Sequence, residues 1–200
     1  GGAGVVDEGP DPTGSQLYPD PAVQRNADGT PLPGDDDFVP ETASPESQNP
    51  SQDVVEIIET GPGYNILRLR DGTIVRQEGS RNWRNNNPGN IEFGDYARSQ
   101  GAIGSDGRFA IFPNYESGRA AKENLLFNTS SYEGRSIESA LNRYAPPVEN
   151  NTNAYINQVS TAVGVPPAAS MSSLNTRQRS DMLDAMERVE GYKLGTTRTL

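Results

Sequence analysis

At 200 residues the chain is long enough for one medium domain with a core plus an appendage, yet its 32% hydrophobic content is low for a chain packed throughout. The net charge of −10 is unevenly placed: residues 1–62 hold thirteen of the 27 acids, one base (Arg25) and ten of the 16 prolines, so the remainder is close to neutral. With no Cys and no His, the chain cannot build a Ser-His-Asp triad, a thiol nucleophile, a histidine base or an imidazole- or thiolate-bound zinc site. Any catalysis must run on carboxylates, Tyr, Lys, Ser/Thr or backbone donors, and no cofactor or metal is expected.

Residues 1–53 alternate turn formers (Gly9-Pro10, Pro19-Asp20-Pro21, Pro31-Leu32-Pro33-Gly34) with acids and show neither helical nor strand periodicity. This composition predicts an arm that is extended or disordered by itself. Its scattered apolar residues (Leu17, Tyr18, Val23, Leu32, Phe38, Val39) are spaced as anchors for a partner surface, and a solvated linker is the alternative. Lacking a basic patch, the arm is not a nucleic-acid binder. No apolar run is long enough to span a membrane, and no signal peptide is visible. The opening Gly1-Gly2 suits a processed product or a piece of a longer polypeptide.

Residues 54–80 read as a strand and a hairpin. Val54-Val55-Glu56-Ile57-Ile58 is a short apolar run that suits a strand or an assembly contact. Tyr64–Arg70 and Thr73–Gln77 flank Asp71-Gly72, a two-residue turn signal. That turn pairs Leu69 with Ile74 and Arg68 with Val75.

Residues 81–195 read as an α-rich body. Phe109–Phe112 is a short buried extended segment. Asn114 caps a helix over 115–128 with Ala121 and Leu125 on one face. Ser136 caps a helix over 137–144, which Pro146-Pro147 ends. Asn151 or Thr152 opens a helix through Val163, where Tyr155, Val159 and Ala162 line up and Gly164 stops it. The last helix spans about 176–190, with Met182, Met186 and Val189 on its apolar stripe.

One segment resists any regular element. In Trp83-Arg84-Asn85-Asn86-Asn87-Pro88-Gly89-Asn90-Ile91 the amides favour caps and turns, Pro removes a donor and Gly accepts positive φ. Each Asn offers an acceptor and two donors. Two readings stand side by side: a clamp that holds its own loop, or a rim that binds a sugar or peptide. In the second, Asn85, Asn86, Asn87 and Asn90 would join Trp83, Asn150 and Tyr155 in binding substrate.

Two acids are candidates for catalysis. Glu149 follows the double proline and precedes a helix. Glu116 opens the 115–128 helix beside Phe112 and Tyr115, where desolvation would favour its protonated form. Either is equally readable as an acid placed at a helix N-terminus. Glu92 and Asp95 are weaker choices. Cleavage of a glycosidic bond needs one acid and usually a second carboxylate, so a chain lacking His and Cys is compatible with it. The Glu116-Ser117 pair resembles the Glu-Ser element of lytic transglycosylases.

Taken in order, Trp83–Ile91, Gly101–Gly104, Asp106–Phe112, Glu116–Ala120, Tyr144–Pro147, Glu149–Thr152 and Ala154-Tyr155 resemble a family of tailed-phage and prophage virion proteins. Some of its members are suspected of lysozyme-like or transglycosylase-like peptidoglycan processing. The resemblance covers roughly residues 64–195; the loop Asn85–Asn90, Arg119, Glu149, Asn150, Thr152 and Tyr155 carry the signature. Glu92 stands where many relatives have a basic residue.

The resemblance implies an α+β, mostly α fold: a lysozyme-like helical domain with a small β-hairpin behind an extended acidic arm. It implies a virion component, of tail, baseplate or particle interior, that acts at the host envelope. Other virion proteins would be its partners through residues 1–62, with peptidoglycan or a surface glycan as ligand. The alternatives are a non-enzymatic structural or decoration protein, and a domain that binds a host glycan receptor.

Overall fold

The computed structural model describes residues 50–146 and 151–200. The arm as far as residue 49, together with Glu149 and Asn150, lies outside the described residues. Among the described residues the fold is mixed α+β, with six helices and a four-stranded antiparallel sheet.

Pro50–Gln52 form a 3₁₀ turn that leads into β1 (Val54–Gly61), followed by β2 (Tyr64–Leu69) and β3 (Ile74–Glu78). The sheet order is β1-β2-β3-β6, where β6 is Thr196–Thr199. This last strand was not foreseen: its exposed Thr-Thr-Arg-Thr has no apolar alternation, and it is a strand because β3 offers it an open edge.

The expected hairpin forms, but its register is one residue away from the expected one. Arg68 faces Ile74 and Leu67 faces Val75. The loop is three residues rather than two: Leu69 N donates to Thr73 O at 2.8 Å, Gly72 takes φ +89, and the Asp71 carboxylate accepts from Thr73 N. A turn followed by one left-handed residue is the usual three-residue hairpin connection. This register puts buried Leu67 opposite buried Val75, whereas the two-residue loop would have set Arg68 there.

Strand β1 carries two bulges against β2, between Val54 and Glu56 and between Ile57 and Glu59. The extra residues are Val55 and Ile58, both exposed. Val54 and Ile57 are thereby kept on the packed face with Leu67, Leu69 and Val75.

The body follows. Helix α1 is Arg81–Arg84 and α2 is Asp95–Ser99; a short ribbon pairs β4 (Gly104–Ser105) with β5 (Ala110–Ile111). Helix α3 (Tyr115–Asn128) starts where expected, with the Asn114 side chain accepting from Ser117 N. Helix α4 (Ile137–Tyr144) is capped by Ser136, and α5 (Thr152–Val163) is capped by Asn151 and stopped by Gly164 in the left-handed region. Helix α6 (Thr176–Val189) opens on a full capping box, in which Asn175 and Gln178 exchange bonds.

These helices enclose one core, built from Leu125 and Leu126, from Ile137, Leu141 and Tyr144, from Tyr155, Ile156 and Val159, and from Met182, Leu183 and Met186. On α5 the buried stripe is completed by Val163, one position past the expected Ala162, which is exposed. No helix among the described residues is long and apolar enough to cross a membrane.

Helix α3 lies directly on the asparagine loop at Gly118. A Cβ there would sit 1.8 Å from the Asn86 carbonyl oxygen, so only glycine fits. Gly118→Ala must push the loop off the helix. The expected outcome is a loss of about 1–3 kcal/mol, or no folded protein, measured by urea unfolding. Wild-type stability in that variant would mean the loop is not held against α3.

Candidate functional site

The asparagine loop is built as an internal clamp. Asn87 is fully buried; its amide donates to Ile91 O and Ala110 O at 2.9 Å each, and its Oδ1 accepts from Ile91 N. The Asn86 amide donates to Phe112 O. The Asn85 amide donates to the Asp106 carboxylate, while its oxygen accepts from Asn65 on β2 at 2.8 Å. The other oxygen of Asp106 receives the backbone N–H groups of Arg108 and Phe109. One carboxylate and four amides thus join β2, the loop, the β4–β5 ribbon and the segment that leads into α3. Asn86 and Asn90 hold φ of 50° and 46°, a conformation that Asn accepts more readily than other side chains.

Behind the loop lies a buried ionic network. Lys122 of α3, with no exposed surface, donates to Pro88 O and to Glu190 Oε2, each at 3.2 Å. The second oxygen of Glu190 accepts from the Tyr155 hydroxyl of α5 at 2.7 Å, and the Glu190 carbonyl accepts from Asn82. The Tyr144 hydroxyl of α4 donates to Gly89 O. One turn back on α6, Glu187 accepts from Tyr115 through both oxygens and from Arg119 at 3.0 Å, and Arg119 also reaches Asp184 at 2.8 Å.

Burial shifts the titration of these groups. Desolvation raises the Glu187 carboxyl above its ordinary range, although Lys122, Arg119 and the Tyr115 hydroxyl oppose the shift. The Tyr115 hydroxyl rises by desolvation and by the charge of Glu187. For Arg119 burial works against the cation, and the attraction of Glu187, Tyr115 and Asp184 outweighs it and raises the guanidinium.

No family model, no curated protein and no solved structure matches this chain. The residues' own geometry therefore carries the reading.

The sequence candidates fall in different places. Asn85, Asn86 and Asn87, expected as a sugar rim, have their amides bonded inside the fold, and Asn90 is buried. Tyr155, expected beside them, is a buried strut to Glu190. Trp83 is half-buried against the backbone at Gly79 and Gly195. Glu92 is ion-paired with Arg108 at 2.5 Å, and Asp95 with Arg98 at 2.9 Å. Glu116 has both carboxylate oxygens buried, with no hydrogen-bond partner; the amides of Asn85–Asn87 all bond elsewhere. Glu149 and Asn150 lie outside the described residues.

Sequence reasoning missed Lys122, Glu187, Glu190 and Asp106. Two signals pointed to the network. Lys122 occupies an apolar-stripe position between Ala121 and Leu125-Leu126. Glu187 and Glu190 stand at the C-terminal end of α6, where the helix dipole disfavours acids. A charge in the wrong place on two helices is the mark of a buried pair.

Lys122→Met should strand Glu190 in the core and cost about 3–5 kcal/mol, whereas Lys122→Met with Glu190→Gln should recover much of the loss. Urea unfolding of the three variants measures the coupling, and additive losses would show that the pair does not act as a unit. Glu187 sets a pH dependence. Its raised carboxyl binds a proton more tightly folded than unfolded, so its contribution is complete below about pH 4.5, the ordinary value, and is lost as pH rises through the folded value. Glu187→Gln should therefore gain stability relative to wild type as pH climbs above 4.5. Parallel stability curves for the two proteins would count against the raised carboxyl.

Proposed function

We propose that the chain is a building component of a tailed-phage or prophage particle, in which the helical body serves assembly or docking rather than glycan cleavage. The observation that carries this reading is the internal use of the asparagine amides. A cleavage site would keep them turned toward substrate, and here they bond the loop to Phe112, Ala110, Ile91 and Asp106. The particle assignment is supported by the ordered motifs of residues 64–195 and by the acidic, proline-rich composition of residues 1–62, through which other virion proteins would be engaged. The lysozyme-like likeness of the body belongs to the same proposal; a helical core beside a small antiparallel sheet supports it.

A second reading, a murein-cleaving domain, is favoured by Glu116. Both of its carboxylate oxygens are buried without a hydrogen-bond partner, so the fold does not use them, and glycoside cleavage requires a carboxyl group at the scissile bond.

Zymography on purified peptidoglycan separates the two. The expected result is no clearing by the wild-type chain. Clearing by wild type that disappears in Glu116→Gln or Glu149→Gln would replace the architectural reading with the enzymatic one. Mass spectrometry of purified particles tests the particle assignment separately.

A further inference from the structure

The two edges of the sheet differ. Strand β1 is bulged twice. Strand β6 pairs with β3 in unbroken register, from Thr196 opposite Glu78 to Thr199 opposite Val75, and Leu200 N extends the ladder onto Ile74 O at 2.9 Å. All four residues of β6 are exposed, and among the described residues no strand lies beyond it. In an antiparallel pair, alternate residues turn their N–H and C=O away from the neighbour. With Leu200 bonded to Ile74, Thr197 and Thr199 are the residues that turn theirs outward. We propose that this edge is covered by residues 35–39 of the chain's own acidic arm, added to the sheet as a fifth strand.

Charge selects the occupant. Arg198 stands directly opposite Arg76. Arg76 is satisfied by Glu78 and by the Tyr64 ring, whose centre lies 3.7 Å from the guanidinium carbon. Arg198 has no ion pair among the described residues. Like charges opposed across a strand pair are unfavourable, so an acid on the next strand would relieve Arg198. A second copy's β6 would do the reverse, adding another Arg198 to two arginines already opposed. In the arm, Asp35-Asp36-Asp37-Phe38-Val39 joins three acids to two strand-forming residues with no proline between them. Pro33-Gly34 and Pro40 bound this run, and its length matches that of residues 196–200.

The arm joins the fold at the right end of the sheet. Asp71 N donates to Ser51 O at 3.1 Å, Arg70 N to Asp53 O at 2.9 Å and Arg70 Nε to Pro50 O at 3.2 Å. Residues 50–53 are thus laid against the β2–β3 turn. Leu200, bonded to Ile74 just past that turn, lies at the same end of the sheet. Three strand spacings separate β1 from β6, about 14 Å, and residues 40–49 span about 33 Å when fully extended. One chain can therefore close its own edge, and residues 1–34 are left for partner proteins. The added strand does not depend on the particle assignment, since the edge, its charge and the point of entry belong to this chain alone.

Hydrogen exchange in the full chain, read by backbone amide NMR, tests this. The Thr197 and Thr199 amides should exchange about tenfold more slowly than in the Asp35→Lys/Asp36→Lys/Asp37→Lys variant, at every protein concentration. Arg198→Glu should release them as well, and combining it with the three lysine changes should restore the protection. The amide of residue 198, which faces β3, should stay protected in every variant. Free exchange of Thr197 and Thr199 in the wild-type chain overturns the proposal. So does protection that appears only as concentration rises, which would assign the edge to a second copy. Protection that survives both charge variants overturns it too, because the acidic run would then not be the strand that covers β6.

Discussion

The ion pair between Lys122 and Glu190 is the constraint on which the body depends. It is buried, so neither charge has water to fall back on, and each must find every partner within the protein. Lys122 does so with Pro88 O, and Glu190 with Tyr155. The pair thereby fixes α3, α5 and α6 relative to one another and relative to the loop between Asn85 and Ile91. Hydrophobic contacts alone would let these helices slide by a fraction of a turn at modest cost. A buried charge pair with directional bonds does not.

The clamp and the network share a border at Pro88, Gly89 and Asn82. From one side, Asp106 and the Asn amides tie the loop to the sheet and ribbon. From the other, Lys122 and Tyr144 take the carbonyls of Pro88 and Gly89. A loop without regular structure is thus satisfied on both faces, which is how irregular backbone survives in an interior. Gly118 is the necessary gap, because the Asn86 carbonyl occupies the place of a side chain.

Much of the helical body was legible in the sequence because its punctuation is local. Asn114, Ser136 and Asn151 each bond their own backbone three residues on, and Gly164 supplies the left-handed stop. What was not legible depends on residues far apart in the chain. The hairpin register turned on whether Arg70 belonged to the strand or the loop, and the packing of Leu67 against Val75 decided it. Strand β6 exists only because β3 has a free side. The sequence singled out the asparagine loop but left its two roles open. An amide reads the same whether it faces a ligand or a carbonyl 23 residues away, as Asn87 does toward Ala110.

The bulged edge of the sheet has a consequence for crowded surroundings. A straight outer strand bearing Val and Ile would present evenly spaced amide and carbonyl groups, a template onto which a neighbouring molecule's strand could zip. At Val55 and Ile58 that spacing is broken twice within eight residues, and each irregularity adds local twist. Irregular spacing of this kind disfavours strand-to-strand growth from molecule to molecule at β1.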